Sequence, residues 1–299
     1  MHSQWKPTKV AALALGLFVF GVVSPAQEAR ALDGVPIFKI LKALGLGSSL
    51  RVIGLTDNGR LVSFRSNTPH RTREIGPVTG LTGADTALVG IDFRVQDGLL
   101  YGVGNGGGIY TIDTTTAVAT SVNLPLTIAL SGTSFGVDFN PAANALRVIS
   151  DTGQNLRHPF AGGLAGMTQN DTALALPSPA TPPALGVTGA AYTNNDVDAN
   201  TGTTLFDIDT VNDQVVLQSP ANSGQLVPTG KLGVDAASAA GFDIYSALDG
   251  GVSVHNVAFA TLTVNGTSGF YDVDLLTGQA ILIRKFSELV VDIAIPLDQ

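Results

Sequence analysis

Asp92, Asp138 and Asp243 each lie in a short apolar run behind a glycine: Gly90-Ile91-Asp92-Phe93, Gly136-Val137-Asp138-Phe139 and Gly241-Phe242-Asp243-Ile244. Asp292 lies in a related run, Val291-Asp292-Ile293, without the glycine. Gly189-Ala190-Ala191-Tyr192 is a degenerate copy without the acid. Carboxylates that recur and meet near one axis could take a cation or a polyhydroxylated ligand. They could equally accept backbone N–H groups and tie repeats together. Function rarely repeats in every unit whereas architecture does, so the structural use is the expected one.

Three other patterns invite chemistry. Gly132-Thr133-Ser134-Phe135-Gly136 matches the G-x-S-x-G nucleophile elbow, which needs a strand–turn–helix and partner acid and histidine. Here it leads into another strand, and His70, His158 and His255 have no recognisable partners, so chance explains it better. Gly102, Gly104 and Gly107 spell a dinucleotide fingerprint, yet no helix follows to hold a pyrophosphate, and a glycine-rich hairpin is expected. Asp196-Val197-Asp198-Ala199-Asn200 offers alternate oxygen ligands suited to Ca²⁺, with Asp207 at the twelfth position. Thr201 stands where such loops need glycine, and a solvated polar turn is the competing reading. Structural Ca²⁺ on Asp196, Asp198, Asn200 and Asp207 is the one cofactor the residues point to.

Arg147, Asp151, Gln154, Asn155 and Arg157 place charges and amides on two strands and the turn between them, in Leu146-Arg147-Val148-Ile149-Ser150-Asp151-Thr152-Gly153-Gln154-Asn155-Leu156-Arg157. A salt-bridge and turn network accounts for them, and recognition of a carboxylate, phosphate or uronic acid is the alternative.

The elements that must position these groups are strands. Short apolar or alternating runs are separated by Gly, Asn, Asp, Thr and Pro, and helical periodicity is nearly absent. Steps between the recurring central residues are 46 (92 to 138), 53 (to 191), 52 (to 243) and 49 (to 292). Periods of about 40–50 residues with four strands each belong to propeller blades. A second unit, Ile109-Tyr110-Thr111-Ile112-Asp113, Leu205-Phe206-Asp207-Ile208-Asp209 and Phe270-Tyr271-Asp272-Val273-Asp274, starts a hairpin in each copy. Val291-Asp292-Ile293 begins a blade just before the chain ends, and the missing strands are available at Arg51–Leu55, Arg60–Phe64 and Thr72–Val78. Pairing the two termini would close the circle and remove two exposed edges. The fold class is therefore all-β, a single β-propeller over residues 50–299 with about five four-stranded blades. A sixth is conceivable if 245–268 hides one.

Lys6 and Lys9 precede an apolar run of 14 residues, 10 to 23, followed by small residues at Ser24, Ala26, Ala29 and Ala31. This predicts a signal peptide over 1–26, with cleavage as late as 31 an alternative. Residues 27–49 would be a linker with a short amphipathic helix in Val35 to Leu46. The mature chain is expected outside the cytoplasm (secreted, periplasmic or at the cell surface), with no membrane span left. Loss of residues 1–26 takes the net charge from −8 to −10, which disfavours nucleic acid as a partner. With no cysteine, stability must come from the core.

Ser134-Phe135-Gly136-Val137-Asp138-Phe139-Asn140-Pro141, the Leu146–Arg157 run, Ala191-Tyr192-Thr193-Asn194 and Thr204-Leu205-Phe206-Asp207-Ile208-Asp209-Thr210 together resemble the bacterial domain family of unknown function DUF4394. The likeness covers roughly residues 50–286. It implies an exported propeller-type protein and supplies no catalytic residue. Two function classes follow. One is a non-catalytic binding or envelope module for a glycan, peptide or protein ligand. The other is an extracytoplasmic hydrolase or lyase using channel carboxylates, with calcium.

Overall fold

Alternation in the sequence becomes twenty strands in the computed structural model, which describes residues 49–179, 183–297 and 299. The expected signal peptide and the short helix of the linker lie outside the described residues. In chain order, β1 (Arg51–Thr56), β2 (Arg60–Arg65) and β3 (Arg73–Pro77) begin the first blade. The second comprises β4 (Leu88–Phe93), β5 (Leu100–Gly104), β6 (Ile109–Ile112) and β7 (Ala119–Ser121). The third has β8 (Phe135–Asn140), β9 (Ala145–Ser150), β10 (Asn155–Pro159) and β11 (Gln169–Asn170). The fourth has β12 (Val187–Tyr192), β13 (Leu205–Asp209), β14 (Gln214–Gln218) and β15 (Leu226–Lys231). The fifth has β16 (Ala240–Asp249), β17 (Val252–Val264), β18 (Thr267–Val273) and β19 (Ala280–Lys285). Finally β20 (Val290–Ala294) pairs antiparallel with β1, Ile53 against Ala294 and Gly54 against Ile293.

Every blade is an antiparallel four-stranded sheet, and the first runs β20-β1-β2-β3. The protein is thus a five-bladed β-propeller closed by its own C-terminal strand. The stretch 245–268 hides no sixth blade: it forms most of the long β16–β17 hairpin, joined through Asp249-Gly250-Gly251-Val252. Inner strands β20, β4, β8, β12 and β16 form a ring, each against the next.

Side-chain alternation sends the two faces of each blade into two seams. Ile53, Leu55 and Leu61 pack with Ile91, Phe93 and Tyr110 between the first and second blades. Tyr101 and Val103 meet Val137, Phe139 and Val148 in the next seam. Ile149 meets Ala190, Tyr192 and Val216, and Phe206 and Ile208 meet Phe242, Ala258 and Tyr271. Phe259, Phe270 and Tyr245 close the circle on Val52, Phe64 and Phe286, with Phe259 and Phe270 stacked at 5.0 Å. Burying a Phe or Leu side chain is worth about 1.5–3 kcal/mol, so these seams hold the blades together.

The second repeat unit is corrected in one respect. Ile109 and Phe270 begin copies in third strands, β6 and β18, whereas Leu205 begins β13, a second strand. What the copies share is the turn after them. Asp113, Asp209 and Asp274 each accept two backbone N–H groups of the following turn through Oδ1. The motif marks an aspartate-capped turn and not a fixed strand of the blade.

Candidate functional site

At the axis, neighbouring inner strands come close where they carry glycine. A Cβ at Gly136 would lie 2.7 Å from the backbone nitrogen of Ala190, and one at Gly241 would lie 2.5 Å from Cα of Asp292. Two residues beyond each glycine comes the acid, reaching across the same seam. Asp92 Oδ2 accepts the N–H of Phe139 at 2.7 Å, and Asp138 Oδ1 that of Tyr192 at 2.9 Å. Asp243 Oδ2 accepts the N–H of Ile295 at 2.6 Å, and Asp292 Oδ2 that of Ile91 at 2.8 Å. Each acid therefore ties its blade to the next one round the ring. The step from β12 to β16, where Ala191 stands, has no such bond among the described residues. There Asn195 donates instead, through Nδ2 to the carbonyl of Ile244 at 2.8 Å.

These bonds also place Asp292 apart from the others. The first three acids belong to one layer, and the residue of β20 in that layer is Ala294, whose successor Ile295 donates its N–H to Asp243. Asp292 lies two residues earlier, level with Gly90 and Gly241. Gly54 opposite Ile293 matches Gly102 opposite Ile91, which supports the same register. Aligning Asp292 with Asp92 by sequence was thus off by one layer.

Asp92, Asp138 and Asp243 converge, each offering one carboxylate oxygen within 4.8 Å of the others. They are buried, 3–7 % exposed. Burial pushes Asp92 and Asp138 well up from the usual carboxylate range, and the neighbouring carboxylates push the same way. Burial lifts Asp243 to about 7 and also raises Asp292. Oxygens at this spacing suit a hard cation. Each carboxylate already has an oxygen engaged by a backbone N–H, so the cluster has a structural use without any ion.

Above this layer the inner strands β4, β8, β16 and β20 begin, and their first residues frame a cavity of about 250 Å³. Leu88, Val89, Phe135, Ala239, Ala240 and Val291 form its apolar wall; Asp57, Thr133 and Ser134 are polar. The SDTGQNLR stretch builds this mouth from behind. Asp151 accepts from Thr133 through N at 3.0 Å and Oγ1 at 2.6 Å. Gln154 takes the N–H of Ser131 and donates to the carbonyl of Ala129, both at 2.9 Å. Together they pin the loop that presents Ser134 and Phe135.

The rest of that motif holds the seam between the third and fourth blades. Arg147, 2 % exposed, donates from Nη1 to Asn155 at 2.7 Å and Asp171 at 2.8 Å, and from Nη2 to Asn222 at 2.7 Å. Arg157 also donates to Asp171, at 3.1 and 3.2 Å. Neither arginine is offered to a cavity at the mouth.

The calcium loop does not assemble as expected. Among the described residues the one grouping of three or more acids or histidines with metal-ligand spacing is Asp92, Asp138 and Asp243. Asp207 belongs to β13, opposite Ala190 and Val216, and is buried in the seam with neither oxygen hydrogen-bonded. Burial drives its pKa well up, with Arg147 opposing. Asp196 accepts from Asp198 N and Ser253 N, both at 2.9 Å, and Asp198 accepts from Asn200 N at 2.7 Å. Burial works to raise Asp196, but the bonds from Ser253 and Asp198 outweigh it and hold it low. The loop is a turn docked on the β16–β17 hairpin. Counting twelve residues ignored the strand alternation that turns Asp207 inward.

The glycines at 102, 104 and 107 lie in the β5–β6 hairpin, and Asp85 explains Gly104. Its carboxylate accepts from Gly106 N, Gly108 N and Tyr110 Oη, where a side chain at Gly104 would collide with it. Asp57, Val89, Ala239 and Val291 of the mouth carry no sequence signal of their own. They come from the β1–β2 turn, β4, the approach to β16 and β20, and meet only in the ring.

The sequence matches the family model described as "Domain of unknown function (DUF4394)" over residues 60–294. No protein of curated function matches it. Among solved structures, a protein from Lactobacillus plantarum is similar at 15% identity, covering 83% of this chain and 99% of that one, TM-score 0.39. A protein of unknown function from Bacteroides thetaiotaomicron gives 11%, 82%, 64% and 0.43 for the same measures. Hydrazine synthase of Kuenenia stuttgartiensis gives 10%, 69%, 51% and 0.40, so the chain spans about half of that protein's length. With the family model covering most of the propeller, the chain belongs to the DUF4394 family.

Proposed function

We propose that this protein is an exported, non-catalytic binding module that receives one small group of a glycan, peptide or protein ligand at the channel mouth. The observation that carries this reading is the cavity where four of the five inner strands begin. Its volume of about 250 Å³ lies just under the roughly 300–1,000 Å³ of small-molecule sites, so it fits a single ring or side chain. An apolar wall with a few polar groups is the usual make-up of such a site. A photo-reactive phenylalanine analogue placed at Ser134 tests it. Cross-linking of a discrete extracytoplasmic species, lost when Ala239→Trp fills the cavity, is expected. Cross-links unaffected by Ala239→Trp would move the binding site elsewhere.

A second reading, an extracytoplasmic hydrolase or lyase, draws on Asp243, whose carboxyl is lifted to about 7 by burial and so is poised to exchange a proton near neutrality. It requires a substrate to reach the acid layer. Turnover of a glycoside or ester abolished by Asp243→Asn would establish it in place of the first.

A further inference from the structure

A second polar cluster lies in the seam between the third and fourth blades, and none of its residues lines the mouth. Pairing sets two of its members on one face of the fourth blade. Asp207 stands opposite Ala190 and Val216, and Gln218 stands opposite Leu205, itself opposite Tyr192. Ala190, Tyr192, Leu205 and Val216 pack with Ile149 of the third blade, so Asp207 and Gln218 face that blade with them. The two are diagonal neighbours on adjacent strands, a spacing that long side chains bridge. From the third blade Arg147 reaches into the same seam, its Nε donating to Tyr192 Oη at 3.3 Å.

Donors and acceptors in this seam do not balance. Asp207 is fully buried, and Gln218 and Arg147 are each 2 % exposed. Neither oxygen of Asp207, nor Oε1 of Gln218, has a hydrogen-bond partner among the described residues. Gln218 spends its amide nitrogen on Asn155 Oδ1 at 3.3 Å and the carbonyl of Ala221 at 2.6 Å. Arg147 commits Nε to Tyr192, Nη1 to Asn155 and Asp171, and Nη2 once, to Asn222. A guanidinium carries five N–H groups, so one on Nη2 is left over. Three acceptors and one donor thus share a buried seam without meeting.

Buried polar atoms are normally satisfied, and polar groups held out of direct reach of one another are what a small bridging molecule joins. The bridge has to accept from Arg147 and donate to the oxygens of Asp207 and Gln218. A metal cation can serve the oxygens but not the guanidinium, whose charge repels it. An anion has the reverse defect. We propose that an internal water molecule occupies this seam, accepting from Arg147 Nη2 and donating to Asp207 and to Gln218 Oε1. Water offers two donors and two acceptors, so a single molecule closes the count when Asp207 is neutral. The carboxyl O–H then donates to it and the carbonyl oxygen accepts from it. Burial favours that neutral form. The fourth blade is thereby tied, through Asp207, to the arginine network of the third.

The test is a high-resolution crystal structure of the protein, with that of Asp207→Leu beside it. A solvent peak about 3 Å from Asp207, Gln218 Oε1 and Arg147 Nη2 is expected in the parent and should be lost in Asp207→Leu. In solution, oxygen-17 relaxation dispersion should show the same loss as a fall in the number of long-lived internal waters. The parent structure decides alone if Asp207→Leu fails to fold. Arg147 or Gln218 turned to bond Asp207 directly overturns the proposal, as does a seam in which the three oxygens stay unpartnered. A peak about 2.3–2.6 Å from six or more oxygens overturns it in favour of a bound Ca²⁺. Relaxation dispersion of equal amplitude in parent and folded Asp207→Leu overturns it as well. None of these outcomes bears on the mouth, whose cross-linking test stands apart.

Discussion

Asp292 Oδ2 accepts the backbone N–H of Ile91 at 2.8 Å, joining residues 201 positions apart. With Asp243 to Ile295 on the other side, the C-terminal strand is held by one carboxylate bond on each flank and by pairing with β1. Phe64, packed edge-on against Phe270 and Phe286, joins the same two ends of the chain through the core.

Deleting Glu288–Gln299 removes β20, both carboxylate bonds and the buried Val290, Ile293, Ala294 and Ile295. Burial of such side chains is worth several kcal/mol in sum, comparable with the roughly 5–15 kcal/mol stability of a whole domain. The truncated chain is expected to be insoluble or rapidly degraded in limited proteolysis. A truncation that retains the melting temperature of the full chain would refute the closure.

Asp138 separates acceptor from charge. Asp138→Ala leaves the N–H of Tyr192 buried without a partner, a loss of about 1–3 kcal/mol, whereas Asp138→Asn keeps an oxygen in place. Because burial and the nearby acids disfavour the ionised form, the Asn variant should be at least as stable as the parent at pH 7. Urea unfolding measures the gap. Equal destabilisation of both variants would mean that the charge itself is needed.

The channel acids should make stability depend on pH in the unusual direction. Their pKa values are raised by folding, so between about 4 and 7 the folded state holds more protons than the unfolded chain. Their contribution is fully present below about pH 4 and is lost as pH rises through about 7, the value to which Asp243 is lifted. One such group changes stability by roughly 1.4 kcal/mol per pH unit within the window. The carboxylates around it are Asp92 on β4, Asp138 on β8 and Asp292 on β20, and β12 contributes Ala191. Buried His158, whose pKa is lowered by burial, acts in the opposite sense below about 6.5. Melting temperatures between pH 4 and 7.5 should therefore fall more steeply in the parent than in Asp243→Asn. Parallel profiles would show that Asp243 is not raised.

Asp151→Ala should loosen the mouth more than the fold. It removes the acceptor of two bonds from Thr133 on a surface loop, so the stability change should be about 1 kcal/mol. Amide exchange in residues 129–134 should accelerate, while that of β8 and β9 stays unchanged. Protection unaltered in that loop would remove the assigned role of the SDTGQ turn.

Much of the architecture was written in local patterns. The glycine-plus-acid runs marked the inner strands, their spacing marked blades, and the incomplete last copy marked the closure, because each of these depends on residues within one strand or one period. Patterns misled where equivalence depended on register. Asp292 looked like a fourth copy of Asp92, yet the pairing of β20 with β1 sets it one layer away. Asp207 looked like a loop ligand by count, yet strand alternation turns it into a seam beside Arg147.

By itself, then, the sequence determined an all-β propeller of DUF4394 type with about five blades, a sixth left open, and the union of its ends, since hydrophobic alternation and repeat length dictate these locally. Only the tertiary structure decided that the blades number five, which acids converge, and that Asp57, Val89, Phe135, Ala240 and Val291 frame one cavity. Those residues are brought together by ring closure, and side chains from separate blades acquire a common environment only when every seam between them has been packed.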